Sequence, residues 1–226
     1  MMDKQDIPIK TDRRRSPETK ERILDAAEKL FAERGFHGAS LRDITGACGV
    51  QVALSYYHFG SKEDVLQAVV DRRAIEHIGC YQKSLTDALA RNDGKPIPVD
   101  SLIEAFVVPA IERFTNGDDG WRYYIQLLAH LSYESSRSSY AKPFFKYDDI
   151  VNEFISELKR SLPDVSAEDL HWSFYFLQSA LTNAVLETQM IDRQSQNLCC
   201  SSDFDALIKA MKNLFSAGLL GLKPRM

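Results

Sequence analysis

The chain has 226 residues, of which 44% are hydrophobic, 10% aromatic and 27% charged, so it can bury one or two cores, and disordered, collagen-like and disulfide-scaffold classes are excluded. The net charge of −4 gives no overall sign of a polyanionic partner. It is unevenly spread, however: residues 10–62 carry ten Lys or Arg against seven Asp or Glu, net +3, and residues 63–226 carry seventeen against twenty-three, net −6. This split suits a small polyanion-binding module on an acidic body, although +3 is small enough to arise by chance.

No apolar run approaches the roughly 20 residues that cross a bilayer, and MMDKQDIPIKTDRRRSPETK has no apolar core of the secretory kind, which leads to the expectation of a cytoplasmic protein without a membrane partner. Cys48, Cys80, Cys199 and Cys200 show no metal-ligand spacing, so reduced thiols are expected.

Along the chain, Ser16-Pro17 starts a helix, with Ser as N-cap and Pro at the first helical position, where its missing N–H is harmless. Ile23, Ala27, Leu30 and Phe31 follow at helical spacing, and Gly35 stops the helix. Ahead of it, residues 1–15 form a separate segment. There, Arg13-Arg14-Arg15 reads either as a basic arm for the minor groove or phosphates, or as a solvated terminus.

A second, short helix opens at Ser40, where Asp43 completes a capping box, and it buries Leu41, Ile44 and Ala47 before Gly49-Val50. Gly46 inside it costs ~1 kcal/mol of propensity against Ala, and close packing is the reason to expect. A third helix runs from about Gln51 to Tyr57. A further capping box, Ser61-Lys62-Glu63-Asp64, launches a long helix through Val65, Leu66, Val69 and Ile75 to about Ala90. Beyond residue 91, breaks at NDGKPIPVD, TNGDDG, SLPDVSAED and SQNLCCSSD separate helical patterns, with no convincing strand among them. The expected fold is an all-α bundle of about nine helices.

The two short helices between Ser40 and Lys62 are too short to stand alone and must pack on the first, leaving the second of the pair exposed. Such a helix-turn-helix places its second helix in the major groove. The same spacing also serves an ordinary helical hairpin of a bundle.

The run from ILDAAEKLFAERGFHGASLRDI through GVQVALSYYHFGSKEDVL resembles the DNA-binding domain of the tetracycline-repressor (TetR) family of bacterial transcriptional regulators. The resemblance is carried by Ile23-Leu24-Asp25-Ala26-Ala27, Leu30-Phe31, Gly35-Phe36, Ser40, Arg42-Asp43-Ile44, Gly49-Val50, Tyr57-His58-Phe59 and Ser61-Lys62. It implies an N-terminal three-helix helix-turn-helix domain, residues 16–62, and a larger ligand-binding and dimerisation domain, residues 63–226. The helix from Gln51 becomes the recognition helix, with Gln51, Val52, Ala53, Ser55, Tyr56 and Tyr57 facing double-stranded DNA. His58, Lys62 and Ser40 then clamp phosphates, and Arg42 reads a guanine edge. The recognition helix has no Lys or Arg, so affinity should come mainly from phosphate contacts. Gln51 is a poorer N-cap than the family's usual Ser, and Cys48 replaces a small residue, usually Ala.

In the body, Trp121, Tyr124, Leu128 and Leu131 form one apolar stripe. Phe106, Ile111, Phe114, Phe144, Phe145, Phe154, Phe174 and Leu177 add more large side chains, which either line a ligand cavity or simply fill the core. Pro109 should kink or break its helix. Gln126, His130, Gln178 and Asn183 are polar candidates for a ligand, with His130 and His171 read as structural. The resemblance implies a small-molecule effector among these middle helices, in contact with Phe106, Trp121, Tyr124, Leu128, Phe174 and Gln178. A largely apolar molecule fits the absence of clustered charge.

The helix expected from about Ser166 to Ile191 is apolar almost all round, and the last helix carries Phe204, Leu207, Ile208, Met211, Leu214, Phe215 and Leu219. One chain has too few helices to bury both. The resemblance implies a homodimer through these two helices, with Trp172, Phe176, Leu207, Met211 and Phe215 at the interface. An enzyme is disfavoured: there is no Gly-rich phosphate loop, no G-x-S-x-G, no H-E-x-x-H and no paired Cys motif, the histidines are scattered, and no cofactor or metal is expected. The remaining alternative is a helical interaction or signalling module that does not bind DNA.

Overall fold

The computed structural model describes residues 17–134, 146–186 and 189–222. Phe144, Phe145, Ser16 and the Arg13-Arg15 segment lie outside the described residues. Among those described there are ten helices and no strand: α1 (Pro17–Gly38), α2 (Leu41–Ala47), α3 (Val52–Phe59), α4 (Lys62–Arg91), α5 (Val99–Asn116), α6 (Asp119–Glu134), α7 (Asp148–Ser161), α8 (Ala167–Val185), α9 (Met190–Gln194) and α10 (Phe204–Leu220).

Ile23, Leu24, Ala27, Leu30 and Phe31 are the buried stripe of α1, at the expected spacing. Regular helix ends at Gly35, whose φ of 68° and ψ of 172° are accessible only without a Cβ; a further helical turn then continues to Gly38. Helix α4 is the spine. At 30 residues it spans about 45 Å, packing on α1 and α3 near its start and on α5 and α7 further along. No linker separates a front unit from a body, because α4 belongs to both.

The body core is aromatic. The Phe106 ring lies 4.6 Å from Phe174, 5.4 Å from Phe154 and 5.4 Å from Tyr81, which ties α5 to α8, α7 and α4. Each such pair adds about 0.5–1.5 kcal/mol beyond its buried area. Helix α5 runs unbroken through Pro109, contrary to the expected break, because its neighbours α4, α6, α7, α8 and α10 enclose it and Pro109 itself is buried. Helix α8 stops at Val185 rather than Ile191; Gln189, with φ of 52°, then caps the separate short α9. Gly46 is exposed and a Cβ there meets nothing within 4 Å, so close packing does not explain it and nothing else in the structure does.

The front unit is fixed to the body by a buried ion cluster. The Glu28 carboxylate, 2% exposed, accepts from Arg72 Nη2 at 2.8 Å and from Arg73 Nε at 3.0 Å. Arg72 also holds Asp25 at 2.6 Å, and Arg73 reaches Asp118 at 3.6 Å. Burial pushes the Glu28 carboxyl above its ordinary range, with Arg73 and Arg72 pulling against that. Gly120 leaves room for the cluster, since a Cβ there would lie 2.0 Å from Arg73 Nη2. Glu28→Gln keeps the shape and removes the charge, and should lower stability by about 2 kcal/mol in denaturant unfolding, less than a fully enclosed pair would cost because both arginines touch solvent. An unchanged midpoint would mean that the cluster contributes nothing net.

Candidate functional site

The front unit is built by local rules. Ser40 and Ser61 both form complete capping boxes, with Asp43 and Asp64 returning to the cap backbone. These bonds hold the Asp43 carboxyl below its usual range. In the turn, Gly49 has φ of 64°, and Val50 N donates to Thr45 O at 2.9 Å. The Arg22 guanidinium donates to the Cys48 carbonyl, fastening the turn to α1. The pair α2 and α3 therefore presents one fixed outer surface.

On that surface Arg42, Gln51, Ala53, Tyr56 and Tyr57 are exposed, and Val52 and His58 are half-buried. Gln51 makes no side-chain capping bond. Tyr56 and Tyr57 are the large groups, 57% and 62% exposed. Ser55 does not belong with them. It is 1% exposed and its hydroxyl points into the unit without a partner, because position 55 falls on the face of α3 that closes against α1, α2 and α4. The Ser40 hydroxyl is occupied by Asp43.

Lys62 also differs from the phosphate clamp expected of it. Its ammonium donates to Phe36 O at 2.9 Å and Ala39 O at 3.0 Å and lies 4.1 Å from the Phe36 ring centroid, closing the end of α1. Lys62→Met should therefore lower the unfolding midpoint by the equivalent of about 1–2 kcal/mol. Unchanged stability with weakened DNA binding would instead return the ammonium to the phosphates.

A cavity of about 90 Å³ lies in the body, bordered by His77 and Tyr81 of α4, Phe106 of α5, Leu128 of α6, Tyr147 at the start of α7 and Gln178 of α8. Of the expected ligand residues, Phe106, Leu128 and Gln178 border it. Trp121, Tyr124 and Phe174 do not; they stand behind, with the Tyr124 hydroxyl 2.7 Å from that of Tyr147 and the Phe174 ring against Phe106. Gln126 and Asn183 do not border it either. His77, Tyr81 and Tyr147 were missed by sequence. The signal for the first two was Ala74, His77, Tyr81 and Leu85 at helical spacing on the buried side of α4.

An apolar face is left uncovered on α8 and α10. Trp172, Tyr175 and Phe176 are 53%, 57% and 55% exposed, and Leu214 and Leu220 are 70% and 65% exposed. On α10 the expected interface residues divide: Met211 is 5% exposed and faces the chain's own core, while Leu207 and Phe215 are half-buried at its margin. They share the stripe Phe204, Leu207, Ile208, Met211, Phe215 and Leu219 that α10 turns to its own body, whereas Leu214 stands off it.

The described residues include no helix long and apolar enough to cross a membrane and no group of three or more His, Cys, Asp or Glu that could hold a metal ion. Residues 23–69 match the model of the tetR family of bacterial regulatory proteins, and residues 104–218 match the tetracyclin repressor-like C-terminal domain. The chain is 44% identical over 52 residues to the HTH-type transcriptional regulator UidR of Escherichia coli, covering 23% of this chain and 26% of UidR. It is 34% identical over 101 residues to the HTH-type transcriptional repressor BepR of Brucella suis, covering 45% of each. These alignments span about a quarter and about half of the two relatives. A TetR-like transcriptional regulator from Rhodococcus sp. RHA1 shares the fold, with a TM-score of 0.60 at 16% identity over 90% of this chain and 97% of that one. With one model covering the helix-turn-helix and the other about half of the chain, the protein belongs to the tetracycline-repressor family of bacterial transcriptional regulators.

Proposed function

We propose that the protein is a homodimeric repressor that binds a palindromic DNA operator through residues 16–62 of each copy and leaves it when residues 63–226 take up a small, largely apolar effector. The observation that carries this reading is the outer face of α3, where Gln51, Ala53, Tyr56 and Tyr57 stand exposed on a unit held rigid by two capping boxes. A helix presented in this way fits the major groove. Repression is favoured by the relative named a transcriptional repressor, BepR. Dimerisation is favoured by the adjoining uncovered faces of α8 and α10, where Gly218 has nothing within 4 Å of the position of a Cβ and so leaves space for close approach by a partner helix. The cavity bordered by Phe106, Leu128 and Gln178 supplies the place for an effector.

Selection from a random pool of duplexes should enrich an inverted repeat whose binding falls steeply with salt. On that duplex Arg42→Ala should relax discrimination at one base pair per half-site by about 1–3 kcal/mol, and a loss uniform across sequences would remove Arg42 from base reading. Leu214→Glu should give monomers in light scattering and abolish operator binding, although it lies far from α3. A dimer with intact affinity would place the interface elsewhere.

A further inference from the structure

Three hydrogen bonds run in series beside the cavity. His77 Nδ1 is 3.1 Å from the Tyr147 hydroxyl, which is 2.7 Å from the Tyr124 hydroxyl, which in turn is 3.4 Å from the Val70 carbonyl. A carbonyl only accepts. All three bonds are made in one polarity alone: Tyr124 donates to Val70, Tyr147 donates to Tyr124, and His77 donates its Nδ1 proton to Tyr147. A neutral imidazole protonated at Nδ1 carries a bare lone pair at Nε2. That atom is buried without a partner, on a side chain 3% exposed. An unpaired buried acceptor costs about 1–3 kcal/mol, which a suitable ligand would recover.

Among the described residues, none that borders the cavity is Asp, Glu, Lys or Arg, so the described wall offers no charge to a ligand. Burial, with Arg113 adding to it, pushes His77 down to about 3, so the ring stays neutral near pH 7 and cannot hold a carboxylate by charge. Burial pushes Tyr81, Tyr124 and Tyr147 up, so these also remain neutral. At about 90 Å³ the space is smaller than the roughly 150 Å³ apolar cavity known to take up benzene, so it suits an occupant of about one ring.

Building on the effector reading of this cavity, we infer that the effector is a small, neutral, largely apolar molecule with one hydrogen-bond donor, a phenol, an alcohol or a ring N–H, which it donates to His77 Nε2.

Calorimetric titration of the full-length protein with phenol, toluene and benzonitrile tests this, since toluene matches phenol in shape without a donor and benzonitrile offers only an acceptor. Phenol should bind at least about ten-fold more tightly than benzonitrile. His77→Phe should remove that preference while leaving toluene binding within about two-fold, and Gln178→Leu should preserve it. Nitrogen NMR of histidine-labelled protein should show His77 protonated at Nδ1, a readout that stands even if His77→Phe fails to fold. An Nε2-protonated ring, or ring binding with no preference for the donor, overturns the inference and leaves the effector cavity standing. If none of the three probes binds, the inference and the cavity's role as an effector site both fall.

Discussion

Glu28 fixes how the front unit stands on the body. Its carboxylate is 2% exposed on α1, and guanidinium groups from two successive α4 residues converge on it. Taking such a charge out of water costs several kcal/mol, so the arrangement persists only while both arginines are in place. Arg73 in turn lies 4.9 Å from the Trp121 ring centroid and near Asp118, which draws the start of α6 into the same cluster. With Lys62 closing the C-terminal end of α1 and Glu28 held at its middle, α4 grips that helix at two points, and the orientation of α3 follows from the path of α4.

The front unit was legible because its determinants are local. Ser40 with Asp43 and Ser61 with Asp64 are three-residue rules, and Gly35 and Gly49 stand where positive φ is needed. What was not legible is which way an eight-residue helix faces. Ser55 looks like a DNA contact from its place in the recognition helix, yet the packing of α3 against three neighbours turns it inward. Lys62 misleads in the same way: its two carbonyl partners lie 26 and 23 residues earlier and meet it only after α1 has folded back against α4.

In the body, periodicity found the stripes but not their partners. Spacing alone gives the α10 stripe to a second copy, whereas Met211 faces the chain's own core, because α5 and α8 cover that side of α10. The aromatic residues divided along a line that no spacing reveals. Phe106 borders the cavity and Phe174, 4.6 Å away, does not. His77 stands on the buried stripe of α4 with Ala74, Tyr81 and Leu85, a place the helical spacing makes visible although it does not mark it as a cavity wall.

The cavity and the Glu28 cluster are joined through a short run of contacts. The His77 ring lies 6.1 Å from Trp121 and 5.7 Å from Tyr124, and Trp121 carries the guanidinium groups of Arg73 and Arg113 on its ring. If an occupant shifts His77, the displacement reaches Trp121 and Tyr124 first, because protein interiors are close-packed and leave little slack to absorb it. Arg73 rides on Trp121, so the next contact to be strained is the one to Glu28. A buried carboxylate does not yield gradually: it is either paired or rehydrated, and intermediate separations carry the desolvation cost without the attraction. A rehydrated Glu28 would be the second discrete arrangement that a switch requires, and an occupant would favour it only to the extent that it bound that arrangement more tightly. Such a coupling would be reciprocal: whatever held α1 and α3 in place would resist the widening of the cavity by the same free energy.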